Sequence, residues 1–186
     1  MSTLGPDLRT IGFLADTHSR KADGSDLPDG VFKAFKGVDL IVHLGDIGQK
    51  GILARLGELA PVLVPVGANK GYSLHQGAGS PLKVLSVGET NVGLWFNLAQ
   101  PDKKIDVGEK AVDFGTEPFE KLMKTRFGDR VDVVAFAGTH RPLKQSHEGV
   151  LFFNPGSPTL PMPDTPASVA VLDLKTASPQ VKLVSL

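Results

Sequence analysis

Three residues in the first quarter of the chain have the side chains and the spacing of a metal site. Asp16 and His18 stand one residue apart at the end of an apolar run, and Asp46 follows the next apolar run along the chain. Residues i and i+2 of an extended segment point to the same side, so Asp16 and His18 can converge on one point. A carboxylate oxygen and an imidazole nitrogen together suit a divalent ion of Mn, Fe, Ni or Zn. Each pattern taken alone is also typical of an ordinary turn at the end of a strand.

Two segments in the second half of the chain add further candidates. His140 follows the apolar run 131–137 and stands between Gly138 and Pro142, a position that suits a metal ligand. The segment 154–157, with the sequence Asn-Pro-Gly-Ser, ends another apolar run in a rigid turn. A purely structural role would explain that turn equally well.

The remaining histidines lie at other kinds of position. His43 is inside an apolar run and is predicted to be a hydrogen-bonded residue of the core. His75 and His147 are predicted to lie at the surface, although His75 is close enough in sequence to serve as a substitute ligand.

Hydrophobic periodicity predicts the elements that must position these residues. Three short, branched apolar runs predict buried strands, and helical spacing predicts two helices between them: strands over 10–15, 40–44 and 62–66, and helices over 28–35 and 52–59. This β-α-β-α-β order favours parallel strands with right-handed crossovers. Ligands bind at the carboxyl ends of parallel strands, so we expect Asp16 and Asp46 to lie side by side there.

The rest of the chain predicts a sheet that is partly antiparallel. The pattern indicates a hairpin, a helix capped by Thr116 and four further strands: hairpin strands over 82–87 and 92–98, the helix over 116–127, and strands over 131–137, 150–153, 168–173 and 181–184. The sequence contains no internal repeat and no linker. We therefore expect one layered α/β domain over residues 1–186.

Composition excludes several classes of function. The 186 residues are 41% hydrophobic, which is enough for a core, and 20 basic residues balance 20 acidic ones. This balance argues against a broad nucleic-acid surface and against a polybasic membrane patch. The absence of cysteine excludes disulfides and thiolate metal sites. Because no signal peptide and no membrane-spanning run is found, we expect a cytoplasmic protein.

The order of the short motifs resembles that of the calcineurin-like metallophosphoesterases. The similarity is strongest to their YfcE-like branch, which includes the retromer-subunit relatives, and it covers essentially the whole chain. The motifs that carry it are the segments 14–18, 43–46, 137–142 and 154–157. The resemblance implies a four-layer α/β/β/α sandwich of two mixed sheets flanked by helices, with a metal site at the strand ends.

The resemblance also implies which residues hold metal. One metal of the family's pair is held by residues that match Asp16, His18, Asp46 and His140, and all four are present. The aspartate at position 46 also bridges to the second metal, which needs an asparagine and two further histidines.

The ligands of the second metal are depleted in this sequence. Gly138 stands at one histidine position and Phe96 at the other. Counting without a gap places Ala68 at the asparagine position, whereas a slip of one residue restores Asn69; the sequence leaves both alignments open. We therefore expect a lost second site and one divalent metal ion or none, with one as the preferred alternative.

By resemblance, the chain is expected to be a divalent-metal-dependent phosphoesterase that hydrolyses phosphate esters with metal-activated water. Asp46 and His140 are the expected catalytic residues. Lys70 could partly replace the charge of the missing metal, and Arg141 is a second candidate for binding phosphate. Without the second metal, charge stabilisation falls by a few kcal/mol, so we expect weak or narrow activity on a small phosphate ester.

Two other functions remain open from the sequence. The chain could keep the fold without catalysis and serve as a scaffold that binds a protein partner or a second copy of itself, as the retromer relatives imply by resemblance. It could also sense metal or phosphate by binding without turnover, although no motif supports this.

Overall fold

A computed structural model describes residues 2–3, 8–65, 83–98, 105–176 and 178–186. Within these ranges the chain forms three helices, α1 (Asp29–Ala34), α2 (Gly51–Gly57) and α3 (Phe119–Phe127). The strands in the same ranges are β1 (Ser2–Thr3), β2 (Thr10–Leu14), β3 (Leu40–His43), β4 (Val62–Leu63), β5 (Val84–Val87), β6 (Thr90–Trp95), β7 (Asp106–Val107), β8 (Val112–Asp113), β9 (Val133–Phe136), β10 (Pro142–His147), β11 (Val150–Pro155), β12 (Ser168–Asp173) and β13 (Gln180–Ser185). Among the described residues, no helix has the length and apolar composition needed to cross a bilayer.

The strands pair into two large mixed sheets and a small hairpin. The five-stranded sheet has the order β13-β12-β2-β3-β4, in which β2, β3 and β4 run parallel and the other neighbours antiparallel. The six-stranded sheet has the order β1-β5-β6-β9-β11-β10, with antiparallel pairs at β5/β6 and β10/β11. The antiparallel pair β7/β8 stands apart from both. The predicted parallel β-α-β-α-β opening and the predicted hairpin are both confirmed.

Alternating side chains on the central strands build three apolar layers. In β2, Ile11 and Phe13 belong to the core between the two sheets, whereas Leu14 packs with α1 and α2 on the outer face. In β9, Val133 belongs to the same central core, whereas Phe136 packs with α3 on the opposite outer face. This alternation follows from the two-residue period of a strand. The order of layers is helix, sheet, sheet, helix, so the predicted four-layer sandwich is confirmed.

One glycine in each large sheet allows an aromatic ring to approach the sheet closely. A Cβ atom at Gly12 of β2 would lie 2.8 Å from the ring of Phe35, and a Cβ atom at Gly93 of β6 would lie 2.7 Å from the ring of Phe127. Both rings are buried against their sheets. A side chain at Gly12 would displace Phe35 and with it α1, which Phe35 follows. A side chain at Gly93 would displace Phe127 and with it α3, which ends at Phe127.

Two local features differ from the sequence-based expectation. The predicted cap at Thr116 is wrong, because α3 begins at Phe119 after Pro118 and has no capping side chain. The residue before a proline is disfavoured in the helical region, which stops the helix from starting earlier. The sequence pattern also does not predict β10, an edge strand whose exposed side chains, Lys144 and Ser146, hide its apolar signal.

Candidate metal centre

The loops after β2 and β3 hold two carboxylates and an imidazole next to each other. The loops continue the parallel pairing of their strands beyond the sheet. The Asp16 N–H donates to the Gly45 carbonyl at 3.0 Å, and the His18 N–H donates to the Asp46 carbonyl at 2.8 Å. Asp16 and His18 are therefore anchored beside Asp46, as the sequence predicts.

The backbone is unusual at each residue of this group. The φ angle is 52° at Asp16, 40° at His18, 52° at Asp46 and 57° at His140, all in a region that non-glycine residues seldom adopt. Asn97, just after β6, has a φ of 56°, and one other non-glycine residue in the described ranges has a positive φ. Such conformations cost energy and cluster at functional sites. Their concentration here marks this edge of the sandwich as the candidate site.

His140 joins the group from the loop between β9 and β10. Its Nε2 atom lies 3.3 Å from Nε2 of His18, and the two rings are stacked with centroids 5.0 Å apart. The same His18 atom lies 3.7 Å from Oδ2 of Asp46. One potential ligand atom from each of Asp16, His18 and His140 lies within 4.8 Å of the others. The four residues predicted to hold the first metal thus lie together.

Asp16 is buried and only half satisfied. Its Oδ2 atom accepts hydrogen bonds from the N–H groups of Gly138 (3.0 Å) and His140 (3.3 Å). Its Oδ1 atom is buried without a hydrogen-bond partner among the described residues. Burial raises the pKa of the Asp16 carboxyl, and the two amides and His140 oppose only part of that rise. A buried carboxylate that groups with two imidazoles and has one oxygen without a partner fits a divalent cation, which would supply the missing partner and charge.

A backbone carbonyl sets the tautomer of His140. Its Nδ1 atom lies 2.7 Å from the carbonyl oxygen of Leu160. Because a carbonyl only accepts, Nδ1 carries the proton, and the neutral ring keeps a lone pair at Nε2. Metal-binding histidines commonly have this arrangement, in which the second ring nitrogen donates to a carbonyl or carboxylate.

The segment around Ser157 connects the His140 side of the site to the Asp16 side. The Ser157 hydroxyl donates to the Asp16 carbonyl at 2.8 Å and accepts the Leu160 N–H at 2.8 Å. The Thr159 hydroxyl donates to the Thr17 carbonyl. Ser157 is fully buried. These bonds hold the Leu160 carbonyl, and therefore the ring of His140, in a fixed position relative to Asp16.

Asn154 extends this support to the loop that carries His140. Its side-chain amide donates to the Thr139 hydroxyl at 3.0 Å, and its oxygen accepts the Gly156 N–H at 2.8 Å. The Asn-Pro-Gly-Ser turn therefore supports the candidate site with two side chains. Asn154 contacts the loop that carries His140, and Ser157 contacts the backbone of Asp16.

His43 is a hydrogen-bonded core residue, as predicted. It is fully buried, and its Nε2 atom lies 2.9 Å from the Thr17 hydroxyl, which donates its own proton to the Ile47 carbonyl at 2.9 Å. His43 Nε2 must therefore be the donor. Burial, with a smaller contribution from His18, lowers the pKa of His43 to about 3.

The neutral state of His43 predicts an acid-sensitive fold. In the unfolded chain His43 binds a proton below a pKa of about 6.5, whereas in the folded chain it does so only below about 3. Its contribution to stability is complete above pH 6.5 and is lost as the pH falls from there toward 3, by up to about 1.4 kcal/mol per pH unit. Denaturant unfolding at several pH values should show this slope in the wild type and a smaller slope in His43→Gln. His147 is half-exposed, so His147→Gln is a control variant that should keep the pH slope of the wild type. Equal slopes in the wild type and His43→Gln would contradict the prediction.

In the described part of the chain, the two positions at which the resemblance places histidine ligands of a second metal carry no imidazole. Gly138 has no side chain, and Phe96 is half-buried and packs against the central core. Asn97 is exposed, and its Cα and Cβ atoms would lie 3.4 Å from a Cβ atom at Gly138. Asn97 therefore lies against the place where a side chain at position 138 would begin, and its carboxamide is the polar group available there.

Several predicted residues lie outside the described ranges. They are Ala68, Asn69, Lys70 and His75, so the alignment of that turn, the ligand role of Asn69 and the charge role of Lys70 stay predictions.

Arg141 forms an ion pair within the chain. Its guanidinium makes two hydrogen bonds to the carboxylate of Asp164, at 2.7 and 2.8 Å. The hydrogen bond from Arg141 is the main reason that the pKa of Asp164 is lowered. A phosphate-binding role for Arg141 stays a prediction, and it would require this pair to open.

Sequence patterns do not identify three of the residues that shape the site. Thr159 and Leu160 make their site contacts with residues about 140 and 20 positions away, and no local spacing indicates such contacts. Asn97 carries a weak signal, because asparagine is among the few residue types that tolerate a left-handed backbone after a strand.

Comparison with known proteins identifies the family of the chain. A family model described as the calcineurin-like phosphoesterase superfamily domain matches residues 10–177. A probable metallophosphoesterase of Methanothermobacter thermautotrophicus is 32% identical over 163 residues, covering 87% of this chain and 84% of that protein. A probable metallophosphoesterase of Methanocaldococcus jannaschii is 33% identical over 152 residues, covering 81% and 69%.

A solved structure supports the fold independently. Vps29 of Entamoeba histolytica in complex with Zn²⁺ aligns with a TM-score of 0.57 and a sequence identity of 17%, covering 95% of this chain and 98% of that one. At this identity the match speaks to the fold alone. The family model and the two relatives show that the chain belongs to the calcineurin-like phosphoesterase superfamily.

Proposed function

We propose that the chain hydrolyses phosphodiesters or small phosphate esters with one divalent metal ion held by Asp16, His18, Asp46 and His140. The observation that carries this proposal is the buried carboxylate of Asp16, which groups with the imidazoles of His18 and His140 and whose Oδ1 atom has no hydrogen-bond partner among the described residues. The phosphoesterase names of the two relatives and the Zn²⁺ in the Entamoeba protein support it.

The residues of the site would have different roles in metal binding and hydrolysis. A bound divalent ion lowers the pKa of water and offsets negative charge on a phosphate. Asp16 is held by two backbone amides, and His140 is oriented by the Leu160 carbonyl, so both can bind without rearrangement. The partly exposed carboxylate of Asp46 is available to accept a hydrogen bond from the attacking water.

We expect the reaction to be slow or restricted to few substrates. The described residues at positions 96 and 138 supply no imidazole for a second ion, and loss of one preorganised charge contact typically costs about 10²–10³ in rate. Asn97 can donate a hydrogen bond to phosphate at this side, but a neutral amide stabilises less charge than a cation does.

The experiment measures metal content and turnover in the same preparation. Purified protein should retain about one metal ion per chain and hydrolyse bis(p-nitrophenyl) phosphate with Mn²⁺, and Asp46→Ala should abolish the turnover. Asp129→Ala, which removes an exposed carboxylate after α3, is the matched control and should behave as the wild type. A metal-loaded protein without turnover on phosphodiesters or monoesters would overturn the proposal.

A second candidate is a scaffold that keeps the fold without catalysis and binds a protein partner. Two large apolar side chains on the segment after the Asn-Pro-Gly-Ser turn favour it: Leu160 is 46% exposed and Met162 is 40% exposed. The same experiment distinguishes the two candidates, because the scaffold predicts no turnover even when metal is bound.

A further inference from the structure

A cavity of about 250 Å³ opens directly beside the candidate metal centre. Its lining in the described part of the chain includes His18 of that centre, together with Thr17, Arg20, Asp26, Thr159 and Leu160. Because His18 belongs to both, a phosphate bound at the metal would place one of its ester substituents at the mouth of this cavity.

Hydrogen bonds within the chain hold two sides of the cavity in place. Asp26 accepts hydrogen bonds from the Ser19 hydroxyl and from the Arg20 N–H, both at 2.7 Å. The Ser19 N–H donates to the Ile47 carbonyl at 2.9 Å, which ties this loop to the one after β3. On the other side, the Thr159 hydroxyl donates to the Thr17 carbonyl. The cavity is therefore part of the same framework that positions Asp16 and His140.

The guanidinium of Arg20 is available to a ligand. The side chain is exposed, and it forms no ion pair with any described residue. Among the described residues, Asp26 accepts the backbone N–H of Arg20, and no hydrogen bond of the guanidinium is found. A guanidinium stacks on flat conjugated rings and donates hydrogen bonds at its edge.

The charges of the cavity favour a neutral polar group over a second phosphate. Burial by itself would raise the pKa of Asp26, but the hydrogen bonds from Arg20 and Ser19 outweigh burial and lower the pKa. Asp26 is thus an anion near neutral pH, and it balances the positive charge of Arg20. A second phosphate would meet this carboxylate, whereas a ring with N–H groups would find a hydrogen-bond acceptor in it.

The remaining wall and the size of the cavity suit one ring system. Leu160 presents an apolar side chain that is 46% exposed. The volume lies just below the range of about 300–1,000 Å³ that drug-sized ligands occupy. Stacking on a guanidinium, an apolar wall and a hydrogen-bond acceptor are the contacts by which proteins recognise an unpaired nucleobase.

We propose that this cavity is a nucleobase subsite and that Arg20 is its specificity-determining residue. The substrate class is then a nucleotide phosphodiester, with its phosphate at the metal centre and its base between Arg20 and Leu160. This inference rests on the proposed function for the location of the phosphate, but binding tests it without turnover.

The test compares adenosine 5′-phosphate with ribose 5-phosphate, which has the same sugar and phosphate but no base. Titration calorimetry on the Mn²⁺-loaded protein should show that adenosine 5′-phosphate binds at least about tenfold more tightly. Arg20→Ala keeps the backbone N–H that holds Asp26, and it should reduce this preference to less than about twofold without changing the affinity for ribose 5-phosphate. Arg9→Ala removes an exposed arginine at the opposite end of β2, and it should preserve the preference.

The outcomes separate this inference from the proposed function. Equal affinity of the wild type for the two ligands would overturn the subsite. A parallel loss of both affinities in Arg20→Ala would also overturn it, since Arg20 would then bind phosphate and not the base. A preference for the base in a protein without turnover would support the subsite and refute the phosphoesterase, whereas turnover without any preference would do the reverse.

Discussion

Asp16→Asn should remove the bound metal and lower phosphodiester turnover by about a thousandfold or more. The carboxylate is fully buried, and its Oδ1 atom has no partner among the described residues, so a metal ion is the group that would satisfy it. The amide keeps the shape of the side chain but loses the negative charge that binds the ion. A thousandfold loss corresponds to about 4 kcal/mol of transition-state stabilisation. Metal analysis after dialysis and turnover of bis(p-nitrophenyl) phosphate measure the two effects.

The structure also supplies a control for this substitution. Asp129 is exposed at the end of α3, and Asp129→Asn changes the charge of the chain by the same amount. Asp129→Asn should leave metal content and turnover unchanged. The remaining oxygen of Asn at position 16 can still accept from the Gly138 and His140 amides, so the thermal midpoint of Asp16→Asn should stay close to that of the metal-free wild type. Full metal content in Asp16→Asn would show that the ion does not bind to this carboxylate.

Ser157→Ala should weaken metal binding by about tenfold or more although Ser157 touches no metal. Its hydroxyl holds the Asp16 carbonyl and the Leu160 N–H, and the Leu160 carbonyl in turn orients His140. Partners that orient metal ligands in this way typically contribute about 10–100-fold in affinity. Loss of a buried hydroxyl with two such bonds should also cost about 1–3 kcal/mol of stability, or roughly 5 °C in thermal midpoint. Mn²⁺ titration and thermal unfolding measure the two effects separately.

Ser168→Ala is the matched control for the serine. Ser168 is also buried, and its hydroxyl donates to the Pro155 carbonyl at 2.8 Å, so it contacts the backbone of the turn but none of the four predicted metal ligands. Its replacement should lower the thermal midpoint to a similar extent while leaving the Mn²⁺ affinity close to that of the wild type. If both serine variants lose the same affinity, the effect comes from general destabilisation, and the positioning role of Ser157 is wrong.

The order of the elements could be predicted because their signals are local. Buried parallel strands such as β2 and β3 are predicted by short runs of apolar residues, and an aspartate, Asp16 or Asp46, follows each run within two residues. The predicted approach of Asp16 to Asp46 follows from this pattern alone. The start of α3 and the edge strand β10 were beyond the pattern, since a proline displaced the one and exposed polar side chains masked the other.

The contacts that position the candidate metal-binding residues were less predictable than those residues themselves. The sequence places Asp16, His18, Asp46 and His140 at strand ends, but it does not indicate that Leu160 orients His140 or that Asn97 lies against Gly138. Such contacts join loops from different strands, and their partners are decided by how the two sheets stack.

By itself the sequence determines the candidate ligands, the strand ends that carry them and the lack of imidazoles at positions 96 and 138, because residue identity and strand period are local properties. The tertiary structure decided the rest. It placed the Ser157 hydroxyl against the Asp16 carbonyl, paired Arg141 with Asp164 and left the Arg20 side chain exposed in the cavity that His18 also lines. Each of these contacts depends on the packing of segments that are distant along the chain, and burial then fixes which polar atoms remain free to bind a metal or a ligand.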